Sequence, residues 1–533
     1  MDMAPADFAV VNARIYTANP AEPWAEALAS SRGRIDIVGR RRDVESRIGP
    51  RTDVVDADGR LILPGLIDSH VHLMWGFELG TWIDLTDRPS LVTVQRRIAG
   101  YAREHPEEEL FIGHGFDYAA LSPEGLPGKE DLDAAVQDRP VVISAWDGHT
   151  GLGNGRFVER ALEAFRAAGK ELGQPVRDPR TGELTGVFHE VFDLTPYLPE
   201  VQRRRSLDGL RRTVGMASRL GITTAFDVQV NLADLHAYAT LWKAGELTVR
   251  VRVAIYHPVE TTPAERASFG EIARPYRDDS LCVGAVKVYI DGVQETRTAA
   301  LLEPYAGDPS WRGPTQYPEE AYHALVADLD RAGFQVCTHA CGDRGVRIAL
   351  DAYAAAARAN GTSGRRHRIE HCENLDPADI PRFARLGVVP CMMPRHASPE
   401  LTARWREVIG PERTRIAFPW RGLLDTGATL AFASDWPVAS MDPLVGIEEA
   451  VAREAPEGGP SPHRLTVAEA IDGYTRRGAY ACHADDTRGT LEPGKYADLV
   501  VLSEDLFEIP PERVTRAKVL RTVVGGRTVH PKA

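Results

Sequence analysis

LILPGLIDSHVH, residues 61–72, is an apolar run that ends on a group of ionisable side chains. A Pro64-Gly65 step interrupts it, and then Asp68, His70 and His72 fall on alternate positions. Strand side chains alternate faces, so these three point the same way at the C-terminal end of the strand. Two imidazoles on one face suit a divalent metal, because neutral ring nitrogens are good ligands. Taken alone, an H-x-H pair is common and reads first as two core or surface histidines.

Working outward, the same texture recurs. ITTAFD (222–227), VRVAIY (251–256), VGAVKVYI (283–290), FQVCTH (334–339), HRIEH (367–371), GVVPCM (387–392) and TLAFASD (429–435) each read as a short apolar strand. Helix-patterned segments such as EEAYHALVADLDRAG and RGVRIALDAYAAAARA lie between several of them. With residues 61–72 this makes eight strand-plus-helix units, the count of a (β/α)8 barrel. The spacing is regular except between residues 72 and 222. That gap carries strand candidates of its own, ELFIGHG (109–115) and PVVISAW (140–146), so a folded insertion spanning about residues 80–205 is expected.

The two ends of the chain share a different texture. FAVVNARIYT, RIDIVG and DVVDADGRLIL near the N-terminus alternate short β-rich runs with turns. YADLVVLS from Tyr496 and KVLRTVVGGRTVHP from Lys518 do the same, with Gly525-Gly526 as a hairpin turn. The expected architecture is α/β: a barrel over 63–487, with residues 1–62 and 488–533 meeting in a small β-sandwich.

Composition narrows the class of function. At 533 residues and 58.5 kDa, with 43% hydrophobic and 26% charged residues, the chain can bury a sizeable core. A net charge of −13 and a pI near 5.7 argue against a general nucleic-acid binder. No apolar run approaches the roughly 20 residues that span a bilayer, so no membrane partner is expected. The first twenty residues lack the basic and apolar regions of a secretory signal. Cys282, Cys337, Cys341, Cys372, Cys391 and Cys482 form no C-x-x-C pair, which argues against a disulfide framework or a zinc ribbon. The expectation is a reduced, cytoplasmic enzyme or binding protein.

His339, His371 and Asp435 each end a predicted barrel strand, where this architecture carries its active site. A histidine-rich set that includes a carboxylate favours zinc, with manganese, iron or cobalt also admissible. Lys287 is the odd member, because it sits mid-strand in an apolar run that should reject an ammonium group. Three readings stand: an exposed edge strand, a pair with a buried acid such as Asp291, or a deprotonated lysine modified at its amine and used as a ligand.

The chain resembles the amidohydrolase superfamily, in its amidohydrolase-3 or YtcJ-like branch. The resemblance rests on PGLIDSHVH (64–72), DGHTGLGN (147–154), VKVYIDG (286–292), THACGD (338–343), RIEHCE (368–373), ASDWPV (433–438) and LEPGKYADLVVL (491–502), in family order along almost the whole chain. It implies a distorted barrel with a terminal β-sandwich, a long insertion after the first strand, and hydrolysis of amide or other C–N bonds, as in N-substituted formamide deformylases. It also implies two divalent ions: His70 and His72 on the more buried one, His339 and His371 on the other, and an N-carboxylated Lys287 bridging them. Asp435 would contact a metal and take the proton of the reacting water, which metal activation makes a nucleophile at neutral pH.

Substrate contacts are expected from His149, from Arg297, from His396 in the looser match CMMPRHAS (391–398), and from Trp436. Arg297 reads equally as a helix-start ion pair, for instance with Glu303, and Glu190 as an inward group or a solvated helix residue. Asp343 reads as a helix N-cap. Trp75, Phe77, Phe116, Tyr118 and Trp146 are either pocket lining for an apolar amide or core. The partner is expected to be a small-molecule amide. A cyclic amide, carbamate, lactone or heterocyclic amine would suit the same barrel, and a catalytically inactive binding relative would have lost ligands. Either the insertion or the sandwich could supply a homodimer contact.

Overall fold

The computed structural model describes residues 4–76, 83–106, 108–121, 126–167, 173–190 and 207–531. Phe77 and part of the expected insertion lie outside them. The chain divides into two units: residues 1–72, 214–435 and 440–533 form the first, and residues 73–213 with 436–439 the second.

Eight parallel strands form the barrel of the first unit, side by side in chain order: β1 (Leu66–Val71), β2 (Ile222–Val230), β3 (Arg250–Tyr256), β4 (Leu281–Tyr289), β5 (Gln335–Ala340), β6 (Arg368–His371), β7 (Val389–Met392) and β8 (Ala431–Phe432). All eight expected strands are present. The ring closes just past β8, where the Asp435 amide donates to the His70 carbonyl at 2.8 Å. Parallel strands buried on both faces explain why these runs read as nearly continuous apolar stretches. Inside, Ile67, Phe226, Ala254, Ala285 and Cys337 pack together from β1 to β5.

One expected strand is two. Leu61–Pro64 belongs to a six-stranded sheet of the sandwich, and Leu66–Val71 to the barrel. Gly65 is the joint: a Cβ there would stand 2.2 Å from Thr223 Oγ1, so only glycine lets the chain pass that close to β2.

The sandwich draws on both ends of the chain. Leu499–Leu502 pairs antiparallel with Leu61–Pro64, Val500 opposite Leu63. A second, four-stranded sheet comes wholly from the N-terminal segment. Phe8, Val10, Leu28, Ile62, Leu499 and Val501 fill the space between them. Arg250 at the start of β3 ties the barrel to this layer, with Nε and Nη2 donating to the Asp498 carboxylate at 2.8 and 3.1 Å.

The second unit is built on a mixed six-stranded sheet in which the adjacent parallel strands Phe111–Phe116 and Val141–Ala145 are the two expected there. Phe116 and Tyr118 are buried in its core and Trp146 packs against it, which decides for the core reading of these aromatics. Gly76 allows the Trp436 ring its position: a Cβ there would fall inside the indole. Among the described residues, no helix is long and apolar enough to cross a membrane.

Candidate metal centre

Four barrel strands bring their ends together around Asp435. His70 Nε2 and His72 Nε2, from the end of β1, each lie 3.0 Å from Asp435 Oδ1. His371 Nδ1, at the end of β6, is 3.9 Å from Oδ2, and His396 Nε2 is 3.7 Å from it. The His339 ring, from β5, stands 4.4 Å from that of His371. All of these groups are buried. The structure therefore brings together His70, His72, His339, His371, His396 and Asp435.

Hydrogen bonds on the far ring nitrogens orient the lone pairs. His70 Nδ1 donates to Glu370 Oε2 at 2.7 Å, and its Nε2 faces Asp435. His339 Nε2 donates to the Gly292 carbonyl at 3.1 Å, leaving Nδ1 as its lone pair. Cys341 Sγ lies on the Nε2 side of that ring, 3.5 Å away, and so backs the imidazole rather than sharing its donor side.

Lys287 is fully buried in β4, a central strand paired with β3 and β5, which removes the edge-strand reading. Asp291 is already satisfied by the amides of Ala300, Cys341 and Gly342 at 2.8, 3.0 and 2.9 Å. Lys287 Nζ makes no hydrogen bond and sits 4.6 Å above the Tyr289 ring, so the pair with Asp291 is not formed either. Burial pushes its ammonium below the usual lysine range, against the pull of Glu370 and Asp435.

The ionisation states follow from the same packing. Burial lowers His72 to about 4 and takes His371 well below its ordinary value, so both imidazoles are neutral near pH 7. Burial would raise Asp435, but the imidazoles around it, His70 foremost, hold it well below the usual carboxylate range. Neutral His72 and His371 beside an ionised carboxylate, with the buried Lys287 Nζ and His371 Nδ1 making no hydrogen bonds, are a donor set that fits divalent cations.

Two residues central to this arrangement were missed in the sequence. Glu370 is fully buried and receives Arg368 Nε at 2.9 Å and Nη2 at 2.8 Å in addition to His70. Burial opposes its ionisation, yet Arg368 and His70 hold its carboxyl far below the usual range. The overlooked signal was an Arg-x-Glu pair on one face of an apolar strand. Glu370→Gln weakens the acceptor of the His70 N–H, and metal affinity is expected to fall about 10- to 100-fold, measured by chelator competition. Unchanged affinity would take Glu370 out of the tuning of His70.

Backbone strain also marks the site. His371, Cys372 and Asp435 have φ of 73°, 49° and 57°, a left-handed conformation that L-residues seldom adopt. On strict alternation His371 would face away from Arg368 and Glu370, and the reversed φ is what turns it from that register.

Residues 53–530 match the amidohydrolase family. The chain belongs to that family. It is 29% identical to Protein LONG AFTER FAR-RED 3 of Arabidopsis thaliana, over 99% of this chain and 92% of the relative. It is 28% identical to the putative amidohydrolase YtcJ of Bacillus subtilis, over 97% and 98%. It is 25% identical to the N-substituted formamide deformylase of Arthrobacter pascens, over 98% and 97%. In fold it is similar to an uncharacterized metal-dependent hydrolase from Pyrococcus horikoshii, with a TM-score of 0.72 at 23% identity over 95% of this chain and 99% of the other. An adenosine deaminase from Xanthomonas campestris with bound zinc shares the fold at a TM-score of 0.55 and 18% identity, over 98% and 93%.

The remaining expected residues of this amidohydrolase fall elsewhere. Arg297 lies in the loop after β4 rather than at a helix start, with Nη2 3.4 Å from the Ala306 carbonyl. Glu303, its expected partner, faces Arg312 instead, at 3.6 Å. His149 and Trp436 belong to the second unit. There His149 Nδ1 meets Glu190 Oε2 at 3.0 Å, and its amide donates to Asp147 Oδ1. Glu190 is buried at the end of strand Leu184–His189, not on a solvated helix. Asp343 is the first residue of its helix, with Gly342 in the cap position, and its carboxylate accepts the Leu302 amide.

Proposed function

We propose that the chain is a metal-dependent hydrolase cleaving an amide-type C–N bond of a small or medium N-substituted amide. The observation that carries this reading is the buried Lys287 amine, without a hydrogen bond, beside the neutral His72 and His371 and the ionised Asp435. Two divalent ions fit the reading, most simply zinc given the nitrogen-rich donors. His70, His72 and Asp435 would hold one, and His339 and His371 the other. Lys287, carboxylated at Nζ, would join them, and its lowered basicity supports reaction of the neutral amine with CO2.

When bound, such ions lower the pKa of water and polarise a carbonyl oxygen. The side chains do the rest. Asp435 Oδ2, ionised before the reaction, accepts the proton of the attacking water and returns it to the leaving amine nitrogen. Without that return a poor amine leaving group would stall. His396, within 3.7 Å of the same oxygen and 3.4 Å from Glu373 through its other nitrogen, is set to donate to a substrate oxygen. The relative described as an N-substituted formamide deformylase supports an amide as the substrate class.

Metal analysis of the unsupplemented protein, with intact mass under CO2-retaining conditions, tests the reading. About two ions per chain and one added CO2 on Lys287 are expected, followed by activity in a screen of N-substituted amides. No metal, and none taken up on supplementation, would overturn it in favour of a binding protein.

A further inference from the structure

At the N-terminal ends of β3, β4 and β5, the opposite end of those strands from the histidines, a cleft of about 340 Å³ opens. Its lining includes Arg252, Arg277 and Arg365 and not one carboxylate. Arg365 shares its charge with Asp330, at 3.2 Å. Arg252 and Arg277 have no ion pair among the described residues. Arg252 Nη1 donates only to Cys282 Sγ at 3.3 Å, and its Nε is buried without a hydrogen-bond partner. Unpaired guanidinium groups converging on one cleft are the usual recognition elements for oxyanions.

A second polar group in the same lining is neutral. Gln335 is buried, and its Nε2 donates to the carbonyls of Arg366 and Ala481 at 2.6 and 2.9 Å. Those two bonds fix the amide, since a flipped Gln335 would set oxygen against two carbonyls. Gln335 Oε1 is thereby left as a buried acceptor without a donor. The unmatched guanidinium donors call for a ligand that carries negative oxygens, and the neutral Gln335 beside them adds no charge to oppose it. Phosphate and phosphomonoesters near neutral pH carry such oxygens, with a charge of about −1.5 to −2. The volume, at the small end of the roughly 300–1,000 Å³ of small-molecule pockets, exceeds that of bare phosphate. Phe334, Val283 and Ala273 supply an apolar wall for a modest organic body.

We infer that this cleft binds a small phosphate-type oxyanion, either free or at the end of a phosphomonoester. Cys282 gives a local reporter, because it lines the cleft and is half-buried whereas the other cysteines are buried. The experiment follows alkylation of Cys282 by iodoacetamide, read by peptide mass, in the full-length metal-loaded protein at constant ionic strength. Inorganic phosphate and phenyl phosphate are expected to slow it several-fold, and chloride at the same ionic strength not at all. Tighter protection by phenyl phosphate would point to a monoester, and the reverse to free phosphate. Arg252→Met and the exposed Arg277→Ala should each raise the protecting concentration about tenfold, one charge-assisted contact's worth, with hydrolase turnover unchanged. Arg277→Ala carries the test even where Arg252→Met folds poorly. Three outcomes would overturn the inference: no protection at saturating phosphate, chloride protecting as well as phosphate, or full protection in the Arg277→Ala protein.

Discussion

Asp435→Asn is expected to lower turnover by about 10²- to 10⁴-fold, the range for loss of a positioned proton carrier, while the fold and most of the metal are retained. Asparagine keeps the size of the side chain, and it is one of the few residues that tolerates a left-handed backbone such as the 57° φ at this position. The amide of residue 435 still donates to the His70 carbonyl, so the closure of the barrel is undisturbed. What disappears is the charge that sits 3.0 Å from both His70 Nε2 and His72 Nε2, and with it a base for the reacting water. Steady-state kinetics together with metal content and circular dichroism separate the cases. Near-wild-type turnover would remove Asp435 from the chemistry. Lost metal with lost turnover would recast it as a ligand only.

The second large effect is on stability. Arg368 is completely buried, makes two bonds to Glu370, donates to the Ser69 carbonyl at 2.6 Å, and lies over the Phe226 ring at 4.4 Å. Arg368→Leu leaves the Glu370 carboxylate buried without its paired guanidinium. Breaking a buried pair from one side costs about 3–5 kcal/mol, so a marked fall in the unfolding midpoint is expected by denaturant titration. The double variant Arg368→Leu, Glu370→Leu should recover part of that loss, because an apolar pair carries no uncompensated charge. A double variant no more stable than the single would assign the cost to lost packing against Phe226 instead.

Much of this protein is legible locally. The eight barrel strands, their order, the β-rich ends and the strand-end positions of His70, His72, His339, His371 and Asp435 all follow from runs of apolar residues and the two-residue period of a strand. That period also aims Asp68, His70 and His72 to one side without any knowledge of what faces them.

What local pattern cannot carry is the identity of partners across the barrel and departures from regular backbone. Lys287 had three readings on its strand; the pairing of β4 on both edges removed the exposed-edge one, and Asp291, satisfied elsewhere, is not its partner. Glu370 was passed over because its partner His70 is three hundred positions away. The turn of His371 out of strand register depends on a positive φ that apolar periodicity does not encode. The split of residues 61–72 between two sheets likewise depends on Thr223 crowding Gly65. Hydrophobic period is a property of each strand alone and is therefore written in the sequence. Hydrogen-bond satisfaction, burial and strained torsions are properties of strands brought side by side, and only the tertiary structure decides them.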